Sequence, residues 1–201
     1  VPQPSLTDQA QRLIDLGVHD LAGLSPEQLL EAAHRGPAGG LLVTPAPASG
    51  LAPLLRIGDK VGFVVEDMTD VDQFGPTEAA PVPVAPYVVR GLDRGDAYLN
   101  RTPAEALPEI LAAGRSPLTV EEGLHWILQD PGVLERNRCF MTIGSRLPKA
   151  NGSYDARTPA LWISNGTGRD GRERKGAPKL GWCWWGNRHT WLGIASCSDR
   201  D

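Results

Sequence analysis

The sequence predicts an α+β fold: an N-terminal helical hairpin, then a mixed or antiparallel sheet with a helix pair packed on one face. Three observations carry this reading. Ser or Thr followed three residues later by Gln or Glu, a pattern that satisfies the free N–H groups of a first helical turn, occurs at Ser25/Gln28, Thr102/Glu105 and Thr119/Glu122. The helical period vanishes after residue 40, where short apolar runs alternate with Pro and Gly clusters. Short apolar runs then return beyond residue 138.

In chain order, Leu6, Ala10, Leu13 and Ile14 lie at helical spacing and Gly17 supplies a stop, which predicts a helix over residues 6–16. A second helix opens at Ser25 and runs to about residue 35. Residues 1–35 therefore read as a hairpin, a subdomain or lid, joined through the Gly- and Pro-rich stretch 36–40 to an α+β domain over 36–201. Strands are expected at 41–43, 61–66 and 87–92. Pro81, Pro83 and Pro86 make 78–86 an extended surface loop, because proline cannot donate to a sheet ladder. Pro26 and Pro103 occupy first helical positions, where no hydrogen bond is lost. The helix pair runs from 102 to about 128. Strands follow at 139–145, 159–164, 179–185 and 191–196, and their short connections predict an antiparallel meander. The polar stretch 147–157 and the charged, Gly-rich stretch 165–176 read as loops, the second of them mobile.

The 201 residues are 41% apolar and carry a net charge of -4, a globular composition. No stretch approaches the roughly 20 apolar residues of a membrane span, and no charged, apolar leader begins the chain, so a cytoplasmic protein without membrane association is expected. The charge is uneven. Residues 1–135 hold 8 Lys and Arg against 19 Asp and Glu, and residues 136–201 hold 12 against 5, for net charges of -11 and +7. Such a division marks either a basic binding surface or two halves that attract one another on folding. Cys139, Cys183 and Cys197 have no CxxC spacing and His19, His34, His125 and His189 are scattered, which argues against a disulfide framework and against a zinc site. The acidic run from Glu66 to Asp72 departs from the EF-hand pattern and reads as turn and cap residues, so no metal is assigned. No cofactor motif is present.

Five of the six tryptophans fall between Trp162 and Trp191. On a strand, Leu180, Trp182 and Trp184 face one way and Gly181, Cys183 and Trp185 the other. The functional reading is a non-catalytic binding protein that recognises a small anionic or aromatic ligand through this sheet. Trp182, Trp184, Trp185, Asn187, Arg188, His189 and Trp191 would form the surface, and Lys179 a charged contact. Nucleic acid is disfavoured by the overall acidic charge and by the absence of any phosphate-loop spacing. Two alternatives stay open. One is a thiol enzyme with Cys183 as nucleophile, His189 as base and Asn187 orienting the imidazole. The other is a structural subunit whose tryptophans form a homo-oligomer interface.

Several segments together carry a resemblance: Asp67 to Asp70, Gly91 to Gly95 running into Thr102 to Ala106, Pro117 to Gly123, and the run Gly176-Ala177-Pro178-Lys179-Leu180-Gly181-Trp182-Cys183-Trp184. In these the chain resembles a family of actinobacterial proteins of about this length whose function is unknown. The resemblance implies a bacterial cytoplasmic protein of single-domain size and implies no activity.

Overall fold

The computed structural model describes residues 3–201; Val1 and Pro2, part of the predicted 1–35 unit, lie outside the described residues. The helices are α1 (Leu6–Asp15), α2 (Val18–Leu21), α3 (Pro26–Arg35), α4 (Ala48–Leu51), α5 (Pro103–Ala112) and α6 (Val120–Gln129). Three of them start as their sequences dictate. Ser25, Thr102 and Thr119 each accept the N–H three residues on, and Gln28, Glu105 and Glu122 return a bond to the cap's own N–H. The short helices α2 and α4 carry no side-chain cap, which is why no local signal announced them.

The main strands are β1 (Leu41–Val43), β2 (Phe63–Val64), β3 (Tyr87–Arg90), β4 (Cys139–Met141), β5 (Arg157–Ile163), β6 (Pro178–Trp184), β7 (Leu192–Ile194) and β8 (Asp199–Arg200). They form a five-stranded sheet ordered β7-β4-β5-β6-β2 and a three-stranded sheet ordered β1-β3-β8. The expected meander holds for β4, β5 and β6, which pair antiparallel. It stops there. β2 pairs parallel with the outer edge of β6, so the chain leaving β6 finds that edge taken and returns to pair parallel with β4 at the opposite side. The sheet is therefore mixed. The expected strand over 139–145 is also interrupted, and at Gly144, where a Cβ would stand 2.6 Å from the carbonyl oxygens of Pro117 and Leu118, the chain makes a close approach that a side chain would block.

Helix α6 is the centre of the molecule, with nine of its ten residues buried. A Cβ at Gly123 would lie 2.7 Å from Leu161 and from Thr142, which shows how closely the helix lies on β4 and β5. From the other side, the wholly buried His125 meets Thr44 just after β1. The N-terminal helices join the same core. Leu6, Ala10, Leu13, Leu29 and Ala33 are contiguous with the buried residues of both sheets. Gln9 fastens α1 to β1: its amide donates to the Gly40 carbonyl at 2.8 Å and accepts from the Leu42 N–H at 2.9 Å.

The uneven charge resolves into pairing between the two halves. Arg138 meets Asp96, Arg157 meets Asp70, Arg169 meets Asp67, Arg188 meets Glu105 and Arg200 meets Glu122. The last pair is buried. Arg200 donates through Nε and Nη2 to the Glu122 carboxylate at 2.6 and 2.9 Å, while Tyr87 donates to the same carboxylate at 3.0 Å. Among the described residues no helix is long and apolar enough to cross a membrane.

Removing one partner of a buried pair strands the other charge, at a cost of about 3–5 kcal/mol. Arg200→Ala should therefore lower unfolding free energy in urea by about that much. Arg35→Ala, which breaks an exposed pair with Glu31, should change it by less than about 1 kcal/mol. Equal effects in the two variants would remove the Glu122–Arg200 pair from its structural role.

Candidate functional site

The C-terminal tryptophans do not form one surface; they divide among three places. Trp182 and Trp184 lie together, ring centroids 4.6 Å apart and edge to face, with the Trp182 indole N–H 3.4 Å from Asp67. Trp184 is the exposed member of the pair. Trp162 and Trp191 meet edge to face at 6.1 Å, and His189 meets Trp191 in the same way at 5.4 Å. Trp185, one residue past β6, sits apart from both groups beneath Arg146, whose guanidinium carbon is 3.9 Å from the ring centroid.

The basic residues are largely committed to internal partners. Lys179 Nζ lies 2.7 Å from Asp170 and 4.8 Å over Trp162. Asp170 also accepts from Ser164 at 2.7 Å. That buried carboxylate anchors the Gly-rich loop, which folds into two 3-10 turns where the sequence predicts mobility. Arg188 donates to the Asn100 carbonyl at 2.9 Å and pairs with Glu105, and Asn187 closes a turn through its N–H to Trp184.

Cys183 lines a cavity of about 300 Å³ with Cys139, Trp162, Trp191 and Asn165. Burial pushes its thiol up to about 12, opposed only by the charge of Lys179. No hydrogen bond joins Cys183 to His189 among the described residues, and burial lowers the pKa of His189, whose Nε2 has no partner. These surroundings do not stabilise the thiolate that a nucleophile needs at neutral pH. Cys139 and Cys197 are likewise pushed up by burial, Cys197 to about 11.

The arrangement with the most evident chemical capacity surrounds Trp185. Arg146 lies just past Gly144 and pairs through its backbone with Gly75. Its residue is 7% exposed. Its Nη2 donates to the Asp155 carbonyl at 2.6 Å, its Nε has no partner, and it forms no ion pair among the described residues. Burial lowers its pKa. The guanidinium lies between Trp185 and the ring of Tyr154, the latter at 5.2 Å. Together these three residues line one side of a cavity of about 420 Å³ whose remaining wall includes Leu107 and Leu111 from α5, Ile143 and Ala79. A desolvated cation facing an apolar cavity has attraction to spare for an anion. Of this set the sequence indicated Trp185 alone. Arg146 stands in an unremarkable Ser145-Arg146-Leu147 context, Tyr154 falls in a loop, and Leu107 and Leu111 signal a helix face without naming what it meets.

A second cavity, of about 430 Å³, is walled by Pro45, Pro47, Pro76, Val82 and Pro83 and receives the partly buried Glu121 from the first turn of α6. Desolvation raises that carboxyl to about 7, with Glu122 and Asp72 adding repulsion. One turn on, burial lowers His125 to about 4. The His125 ring is fixed as the Nδ1–H tautomer: Nδ1 faces the Glu121 carbonyl at 2.8 Å, and Nε2 receives the Thr44 N–H at 3.2 Å. Among the described residues no group of three or more His, Cys, Asp or Glu side chains is placed to hold a metal ion.

The opposed shifts predict a compensated pH profile. Glu121 favours the native state most when protonated, so its contribution is full below the ordinary carboxylate range and is lost as pH rises through about 7. His125 favours it when neutral, so its contribution is full above the ordinary imidazole range and is lost as pH falls through about 4. Glu121→Gln removes the first effect alone. Its stability in urea should rise more steeply between pH 5 and 7 than that of the parent, by on the order of 1–3 kcal/mol across the interval; superposable profiles would refute the Glu121 shift.

No curated protein and no solved structure matches the chain. One family model does, over residues 12–201, nearly the whole sequence and all of the elements from α2 onward. The chain belongs to DUF5701, a family of unknown function.

Proposed function

We propose that this protein is a non-catalytic binding protein that takes a small anionic ligand at Arg146, against the face of Trp185. One observation carries the reading: Arg146 is buried, keeps a free Nε and forms no ion pair, whereas other basic residues of the C-terminal third such as Arg157, Lys179 and Arg200 meet carboxylates. Leaving a charge desolvated without a counter-ion costs several kcal/mol, and an anion in the cavity would recover part of that cost. The rings of Trp185 and Tyr154 hold the guanidinium in place, so little side-chain entropy remains to be lost on binding. The reading narrows the aromatic surface expected from the sequence to Trp185. Lys179 becomes an anchor for the 165–176 loop, and Trp182, Trp184, Asn187, Arg188, His189 and Trp191 lie outside the pocket's lining.

The test is titration with small anions, followed by tryptophan fluorescence. A saturable change in the parent should weaken at least tenfold, about 1.4 kcal/mol, in Arg146→Met. Arg146→Lys, which keeps the charge and loses the planar fork, should fall between the two. An Arg146→Met variant that is folded and binds as tightly as the parent would overturn the reading.

A further inference from the structure

Resting on the anion reading above, we propose that the occupant of the Arg146 cavity is a monocarboxylate with an apolar body, aliphatic or aryl, and not a phosphorylated compound. Among the described residues Arg146 is the only cation lining the cavity. Nη2 spends one of its two hydrogens on the Asp155 carbonyl, Nε is enclosed without a partner, and Nη1 makes no hydrogen bond among the described residues, so Nη1 and the second hydrogen of Nη2 remain for a ligand. That is donor capacity for one carboxylate. A phosphate dianion would bring a second negative charge and further acceptor oxygens for which the lining offers no further cation, and Glu78, which also lines the cavity, would repel a dianion more than a monoanion. Helix N-termini are the usual substitute for cations in phosphate sites. The nearest helix is not placed to serve: α5 contributes Leu107 and Leu111 from beyond its first turn, and its capping box already uses the Thr102 and Glu105 amides.

The walls specify the rest of the molecule. Leu107, Leu111, Ile143 and Ala79 face the rings of Trp185 and Tyr154 across the cavity. Leu111 and Tyr154 remain 46% and 42% exposed, so apolar surface is left open at the mouth. A ligand body placed there would cover it, with a gain of roughly 25 cal/mol for each Å² of apolar area removed from water. A volume of about 420 Å³ suits one small molecule with its carboxylate inward and its apolar end toward Leu111.

Isothermal titration of the full chain with hexanoate, phenylacetate, phenyl phosphate, inorganic phosphate and hexylamine tests this. Hexanoate and phenylacetate should bind saturably, each weakened at least tenfold in Arg146→Met and in Leu111→Glu. The two phosphates and the amine should bind at least tenfold more weakly than the carboxylates. Leu111 is exposed, so Leu111→Glu keeps the question decidable if Arg146→Met fails to fold. Phenyl phosphate binding more tightly than phenylacetate, with that binding lost in Arg146→Met, would overturn the monocarboxylate proposal and leave the anion reading standing. Hexylamine binding as tightly as hexanoate, or carboxylate binding indifferent to both substitutions, would overturn both, as would a failure of every anion to bind.

Discussion

The fold depends on how one buried carboxylate is neutralised. Glu122 is the third residue of α6, and its first task is local, to accept the Thr119 N–H at 2.8 Å and close the helix N-terminus. Because α6 runs through the centre of the core, that side chain is carried fully out of water. A charge there is tolerable only with close partners. Tyr87 from β3 supplies one hydrogen bond, and Arg200 from β8 supplies two and then secures itself on Ser116 at 2.6 Å and on the Pro117 carbonyl at 2.9 Å. The interaction thus joins α6, the three-stranded sheet and the segment leading into α6. The β8 strand, only two residues long, is held in place by this network as much as by its ladder to β3.

With that centre fixed, the remaining charges sort by whether they have an internal partner. Arg157 is engaged by Asp70 and Asp155, Lys179 by Asp170, and Arg94 by Asp96. These pairs fasten loops to strands and leave little net attraction for a ligand. Arg146 has no such carboxylate partner among the described residues. Its neighbours are two aromatic rings and a carbonyl, which orient the guanidinium without neutralising it. Glu121 is the acidic counterpart, a carboxyl raised by desolvation in a proline-walled cavity with no cation in its lining. The molecule therefore carries two cavities of similar size, one lined by an arginine without an ion pair and the other by a carboxyl raised by desolvation.

What the sequence by itself determined was whatever depends on residues close together in the chain. The capping boxes at Ser25, Thr102 and Thr119 set three helix starts to the residue, because each is closed by atoms three positions apart. Alternation along 180–184 placed Trp182 and Trp184 on one face, where they meet. The concentration of tryptophan pointed to a region containing one wall of the pocket. The tertiary structure alone decided the parallel return of β7 to β4, since that turned on β2 occupying the competing edge more than a hundred residues away in sequence. It also decided which charges would be spent. Asp155, two residues away, is a local partner of Arg157, but the carboxylate that grips both ends of its guanidinium is Asp70, from 87 residues away, whereas among the described residues no carboxylate forms an ion pair with Arg146. Hydrogen-bond geometry along a helix or strand is short-ranged and is written in the sequence. Desolvation and charge pairing are sums over whatever the fold brings near, and they exist only once the chain has closed on itself.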